Sequence, residues 1–146
     1  MLSPHVICAP VSSVEIALLS PPIHCALSHG GDVMDVQVTS PSAFIILKGL
    51  LVANREEAGK IGKDLESIVF VLFYAPDPKA VIRDIGALSP HPPYKEFLKV
   101  MRGLFHGPAP RALELLRPGI QSWGIPTNEI PNVVRRTFAP LLAEIL

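Results

Sequence analysis

The spacing of apolar and polar positions changes near Val38. Before it, apolar residues come in short runs cut by proline and glycine, which predicts strands at His5–Ala9, Ser13–Leu19, Ile23–Leu27 and Val33–Val38. Pro10, Ser20-Pro21-Pro22 and Ser28-His29-Gly30-Gly31-Asp32 separate them. The Gly-Gly-Asp stretch suits a hairpin turn, because glycine reaches positive φ without a steric penalty. The last run alternates, with Met34, Val36 and Val38 on one face and Val33, Asp35 and Gln37 on the other. Asp35 therefore points away from the apolar face.

After Val38 the pattern predicts helices almost to the end. Ser40 followed by Pro41 opens the first, which runs to about Glu57: serine can accept from a free N–H of the first turn, and proline has no N–H to leave unpaired there. A flexible link, Ala58-Gly59-Lys60-Ile61-Gly62, leads to a second helix at Asp64–Tyr74, with the Asp64 carboxylate at its positive end. Asp77-Pro78 repeats the start signal for a third helix to about Leu88. Ser89-Pro90-His91-Pro92-Pro93 reads as a stiff linker, since proline is excluded from helix interiors. Tyr94–Phe105 is the fourth helix, with Phe97, Leu98, Met101, Leu104 and Phe105 at helical spacing. Ala109–Leu116 is a short fifth helix stopped by Pro118-Gly119, and Thr127–Leu146 a sixth, with Pro131 in its first turn and Pro140 as a kink or break. The pattern as a whole predicts an α+β fold in one domain, residues 1–38 forming a small antiparallel sheet and residues 39–146 about six helices.

Composition narrows the function classes. The 146 residues suffice for a real core. Thirteen basic and thirteen acidic residues cancel, so no strong nucleic-acid signal is present. The chain is 49% hydrophobic, and its mean hydropathy is +0.38. Its longest apolar runs, Ala43–Leu47 and Ile68–Ala75, are far too short for a membrane span, which leaves an interface with another copy or a partner subunit as the expected place for the surplus. Cys8 and Cys25 fall in strand-like segments, where a buried free thiol is the ordinary state and a disulfide is the alternative if the two strands are adjacent. Met1-Leu2-Ser3-Pro4-His5 lacks the basic and apolar regions of a signal peptide, so the expected location is cytoplasmic.

The stretch from Thr39 to Ala75 carries the candidate chemistry. Lys48 is set into the apolar first helix, where a buried ammonium requires a carboxylate, and Asp64 is the first candidate. Arg55, Lys60 and Lys63 gather in the link between the two helices, a composition that suits either an anion near a helix N-terminus or plain solvation. A short strand, Ser-Pro, an apolar helix with one lysine, a basic linker, and Lys63-Asp64-Leu65 opening an apolar helix together resemble the back half of the nucleotidyltransferase-like domains of bacterial abortive-infection and toxin systems. The resemblance implies that Lys48 and Asp64 belong to the catalytic site, that Lys48, Arg55 and Lys63 hold nucleotide phosphates, and that Mg2+ assists. Two departures stand out. Ser67 occupies the position of the family's second Asp, and the Gly-Ser and Asp-x-Asp elements that supply metal-binding carboxylates are absent. Gly30-Gly31-Asp32-Val33-Met34-Asp35 is the nearest stretch, with the wrong spacing, and it leaves Asp35 as the one metal candidate. A degenerate or truncated member is therefore implied.

Other constellations are weaker. His24, Cys25, His29 and Asp32 are metal-ligand types, but His24 and Cys25 are adjacent on a strand and face opposite ways. Arg135-Arg136 suits an interface, a phosphate or a solvated face, and Trp123 a loop anchor. No Ser-His-Asp arrangement, phosphate-binding loop or dinucleotide glycine pattern is present. The expected function is that of a nucleotidyltransferase-like protein with a phosphate site at Lys48 and Asp64. The alternative is a non-catalytic helical module for interaction or dimerisation.

Overall fold

A computed structural model describes residues 16–17, 20–106 and 110–143. The expected strand His5–Ala9, Cys8, and the end of the last helix lie outside these residues. Two antiparallel strands, β1 (Ile23–His29) and β2 (Asp32–Val38), precede six helices: α1 (Pro41–Ala53), α2 (Ala58–Tyr74), α3 (Pro78–Ala87), α4 (Pro92–Phe105), α5 (Arg111–Ser122) and α6 (Ile130–Ala143). The α+β architecture expected from the sequence is the one observed. Ile16 and Ala17 are helical, where a strand was expected.

The start signals work as their chemistry requires. The Ser40 hydroxyl accepts from the Ala43 N–H at 3.3 Å and is joined by the hydroxyls of Ser20 and Ser42. Asp77 accepts from the Ala80 N–H at 3.0 Å, and each of these caps is followed by proline in the first turn. Helices α1 and α2 pack against each other at the centre, with α3 and α4 on α1 and α5 and α6 on α2. Ile45, Ile46, Leu65, Ile68, Phe97, Leu116 and Phe138 are fully buried between them. Each such side chain contributes about 1.5–3 kcal/mol of transfer free energy.

Five boundaries differ from the sequence expectation. Helix α1 ends at Ala53, with Asn54 as its cap, rather than near Glu57, and Arg55 lies in the connection, where the basic cluster of the link was expected. Helix α2 begins at Ala58 rather than at Asp64. Gly59 and Gly62 do not break it, because one glycine costs only about 1 kcal/mol and the packing of Ile61 and Leu65 outweighs it. Asp64 is therefore an interior residue of α2, not its cap. Pro92 and Pro93 belong to the first turn of α4, where backbone N–H groups have no helical partner anyway. Helix α5 runs through Pro118 to Ser122: the proline is exposed, while Ala112, Leu116 and Ile120 form one buried stripe that continues past it. Pro140 is likewise accommodated inside α6, which starts at Ile130, after Thr127.

The β1–β2 ribbon is unlike the helical body. Gly30 and Gly31 turn it with φ of +59° and +93°, both positive as a type I′ turn demands. Its register pairs Ile23 with Val38, Cys25 with Val36 and Leu27 with Met34, which makes one face apolar as far as the His29–Asp32 pair beside the turn, with Met34, Val36 and Val38 on it as expected. That face is not buried: Leu27 is 59% exposed and Met34 66%.

Candidate functional site

Asp64 is the one charged side chain in the buried core of the described residues. Burying a carboxylate is costly unless it is paired and hydrogen-bonded, and here each oxygen has its own cation. Lys48 Nζ donates to Oδ1 at 2.8 Å and Arg55 Nε donates to Oδ2 at 3.2 Å. The cations come from different places: Lys48 from the middle of α1, and Arg55 from the connection after Asn54. The early end of α1 delivers Arg55, and the early start of α2 turns Asp64 inward to meet both.

Two glycines let the helices come close enough for this arrangement. At Gly49, next to Lys48, a Cβ would collide with the Phe97 ring of α4. At Gly62 it would lie 2.5 Å from the Leu115 carbonyl oxygen of α5, and backbone cannot move aside as a side chain can.

Two cations against one carboxylate leave an excess of positive charge. Arg55 spends one of its five N–H donors on Asp64 and Lys48 one of three; among the described residues no other hydrogen bond from either is present. Both keep a face in water, with side chains 26% and 38% exposed for Lys48 and Arg55. Lys63, adjacent to Asp64 in sequence, is exposed and has no ion-pair partner among the described residues. It lines a groove of about 570 Å³ together with Phe44, Ser67, Phe70 and Trp123. The Lys48 ammonium lies 5.7 Å from the Phe44 ring centre, so Phe44 joins the charge cluster to the groove. On the far wall Trp123 Nε1 donates to Glu66 Oε1 at 2.8 Å, and the Trp123 ring meets Phe70 edge-on at 5.8 Å.

The structure thus brings together Lys48, Arg55 and Asp64, and sets Lys63 at the neighbouring groove. Lys60, the other basic residue of the link, is occupied by Glu57 at 2.7 Å. Asp35 is exposed on the polar face of the ribbon, with no hydrogen-bond partner among the described residues. No group of three or more His, Cys, Asp or Glu residues is positioned to hold a metal ion among the described residues. Sequence reasoning missed Glu66 and Phe70. The distance between Glu66 and Trp123 in the chain hides their bond, although the spacing of Lys63, Ser67 and Phe70 along one helix face was there to read. Trp123 does anchor its segment to the body, through Glu66.

The chain matches no protein family model, no curated protein and no solved structure. No helix among the described residues is long and apolar enough to cross a membrane.

Proposed function

We propose that this chain is a nucleotidyltransferase-like protein whose part in the chemistry is to hold the phosphates of a nucleotide at Lys48, Arg55 and Lys63. The observation that carries the reading is the grip of buried Asp64, 4% exposed, on two cations from separate segments. One cation already neutralises the charge of the carboxylate, although both serve its oxygens. The second one, a guanidinium 38% exposed with no other hydrogen bond among the described residues, leaves positive charge and N–H groups for an anion, and its planar shape suits phosphate oxygens well. Asp64 acts by positioning: it fixes both cations before an anion arrives, so less side-chain entropy is lost on binding.

Phosphoryl and nucleotidyl transfer ordinarily depend on metal ions that neutralise the transferring group. Asp35 is the metal candidate from the sequence, and it stands on the exposed ribbon without other ligands beside it. The described residues do not fit a Mg2+ site, and the reading assigns them phosphate binding alone.

Calorimetric titration with ATP, GTP, CTP and UTP, with and without magnesium, tests this. Binding by the wild type that falls at least about tenfold in Lys48→Ala supports the reading. A lack of binding to all four contradicts it.

A second reading, a non-catalytic interaction module, is favoured by a separate observation. The C-terminal turns of α2 present Phe70, Phe73 and Tyr74 to solvent at 52%, 51% and 61% exposure, with the Phe70 and Tyr74 rings 4.6 Å apart. Clustered exposed aromatics are typical of binding surfaces. In this reading the helical body docks a partner subunit there, and Asp64 with its two cations is scaffold.

A further inference from the structure

We propose that two copies of this chain pair through the outer edge of β1, antiparallel about Ala26, to form a four-stranded sheet. The inference stands on the ribbon and is independent of the phosphate site and of the aromatic surface on α2.

The type I′ turn sets which groups are free. A two-residue turn closes on a hydrogen-bonded pair, here His29 with Asp32. Alternation then makes Leu27 with Met34, Cys25 with Val36 and Ile23 with Val38 the other bonded pairs. The N–H and C=O groups of His24, Ala26 and Ser28 on β1 therefore face outward, as do those of Val33, Asp35 and Gln37 on β2. No third strand meets either edge among the described residues.

The two edges differ in chemistry. Natural edge strands are protected by charge, proline or a bulge. β1, Ile-His-Cys-Ala-Leu-Ser-His, has no proline and no acidic or basic residue other than histidine, and its register runs without a bulge from Ile23 to His29. β2 carries Asp32 and Asp35. Pairing two β2 edges about their centre would set Asp35 directly against Asp35, and like charges opposite each other destabilise a sheet.

β1 is complementary to itself. Antiparallel pairing about Ala26 sets His24 opposite Ser28 of the second copy, and Cys25 opposite its Leu27. On one face the polar pair His24–Ser28 flanks Ala26 against Ala26, and on the other Cys25 meets Leu27, with Ile23 against His29 as the outermost pair. The order β2-β1-β1-β2 then joins the two exposed apolar faces into one continuous surface, with Cys25 and Leu27 in contact across the seam. A lone two-stranded ribbon is marginal in water, and four strands are enough for an independently stable sheet.

Equilibrium sedimentation over about 1–100 μM tests this with two proline variants, each placed where the N–H points outward, so that neither removes a bond of the ribbon itself. Wild type and Asp35→Pro are expected to dimerise alike. Ala26→Pro is expected to weaken the dimer at least about tenfold with an unchanged helical circular-dichroism spectrum. A monomeric wild type overturns the proposal, as does an Ala26→Pro protein that dimerises like wild type, the result expected if the aromatic surface is the contact.

Discussion

Lys48 and Asp64 are joined across the α1–α2 interface at 2.8 Å, an ammonium at the rim of the body holding a carboxylate inside it. Arg55 completes the arrangement from the other side of the carboxylate. Removing the carboxylate leaves two cations facing each other, and removing either cation leaves the carboxylate half satisfied. Asp64→Ala is expected to lower unfolding free energy by about 2–3 kcal/mol, the upper range for a hydrogen bond to a charged group. Lys48→Met is expected to cost about 1 kcal/mol, because Arg55 still serves Asp64 and the apolar stem is kept. Urea denaturation of both variants checks the order, and equal losses would show that Arg55 contributes nothing.

The glycines of α2 provide an internal contrast. Gly62→Ala drives a methyl group into the Leu115 carbonyl oxygen, so a loss of about 1–3 kcal/mol is expected from overpacking. Gly59→Ala meets nothing within 4 Å, and alanine is the better helix former, so a gain of about 0.5–1 kcal/mol is expected. Opposite shifts in thermal midpoint are the readout.

The two serine- and aspartate-capped helices should differ in sensitivity. Asp77→Ala removes one exposed cap bond and is expected to cost about 1 kcal/mol. Ser40→Ala removes the cap of α1 and also takes the partner from the buried hydroxyls of Ser20 and Ser42, so about 2 kcal/mol is expected. Comparable losses in the two denaturation midpoints would mean that the buried serine chain adds nothing to the cap.

Trp123 tests the wall of the groove. Trp123→Phe keeps an aromatic ring beside Phe70 and deletes the N–H that Glu66 accepts, for an expected loss of about 1 kcal/mol. Pairing it with Glu66→Gln in a double-mutant cycle isolates that bond: the coupling should be close to the single loss, and zero coupling would remove it from the account.

The local signals were legible where one residue decides the outcome. Ser40-Pro41 and Asp77-Pro78 mark helix starts because capping and proline chemistry act within one turn. The alternation of Met34, Val36 and Val38 gave the faces of β2 correctly, and the need of a buried cation for a partner pointed from Lys48 to Asp64. The misplaced boundaries share a physical cause. Gly62, Pro92 and Pro118 all carry breaker chemistry, and what overrides it is either packing against another helix or a place in the first turn, neither of which local sequence displays. The contribution of Arg55 to Asp64 was hidden because it depends on Asp64 lying inside α2 and turned toward α1 rather than at the start of its helix. The exposure of the ribbon was hidden as well, since an apolar strand face reads the same whether its cover lies in the chain or outside it.

Binding of inorganic tripolyphosphate to wild type and to Lys63→Glu decides whether Lys48, Arg55 and Lys63 form a phosphate site. Lys63 is exposed and unpaired among the described residues, so its reversal leaves the fold and the Asp64 ion pairs intact. Calorimetric binding by wild type is expected, weakening as salt rises and falling at least about tenfold in Lys63→Glu. Wild-type protein that binds no tripolyphosphate at low salt, or a Lys63→Glu protein that binds it equally well, would contradict the phosphate site.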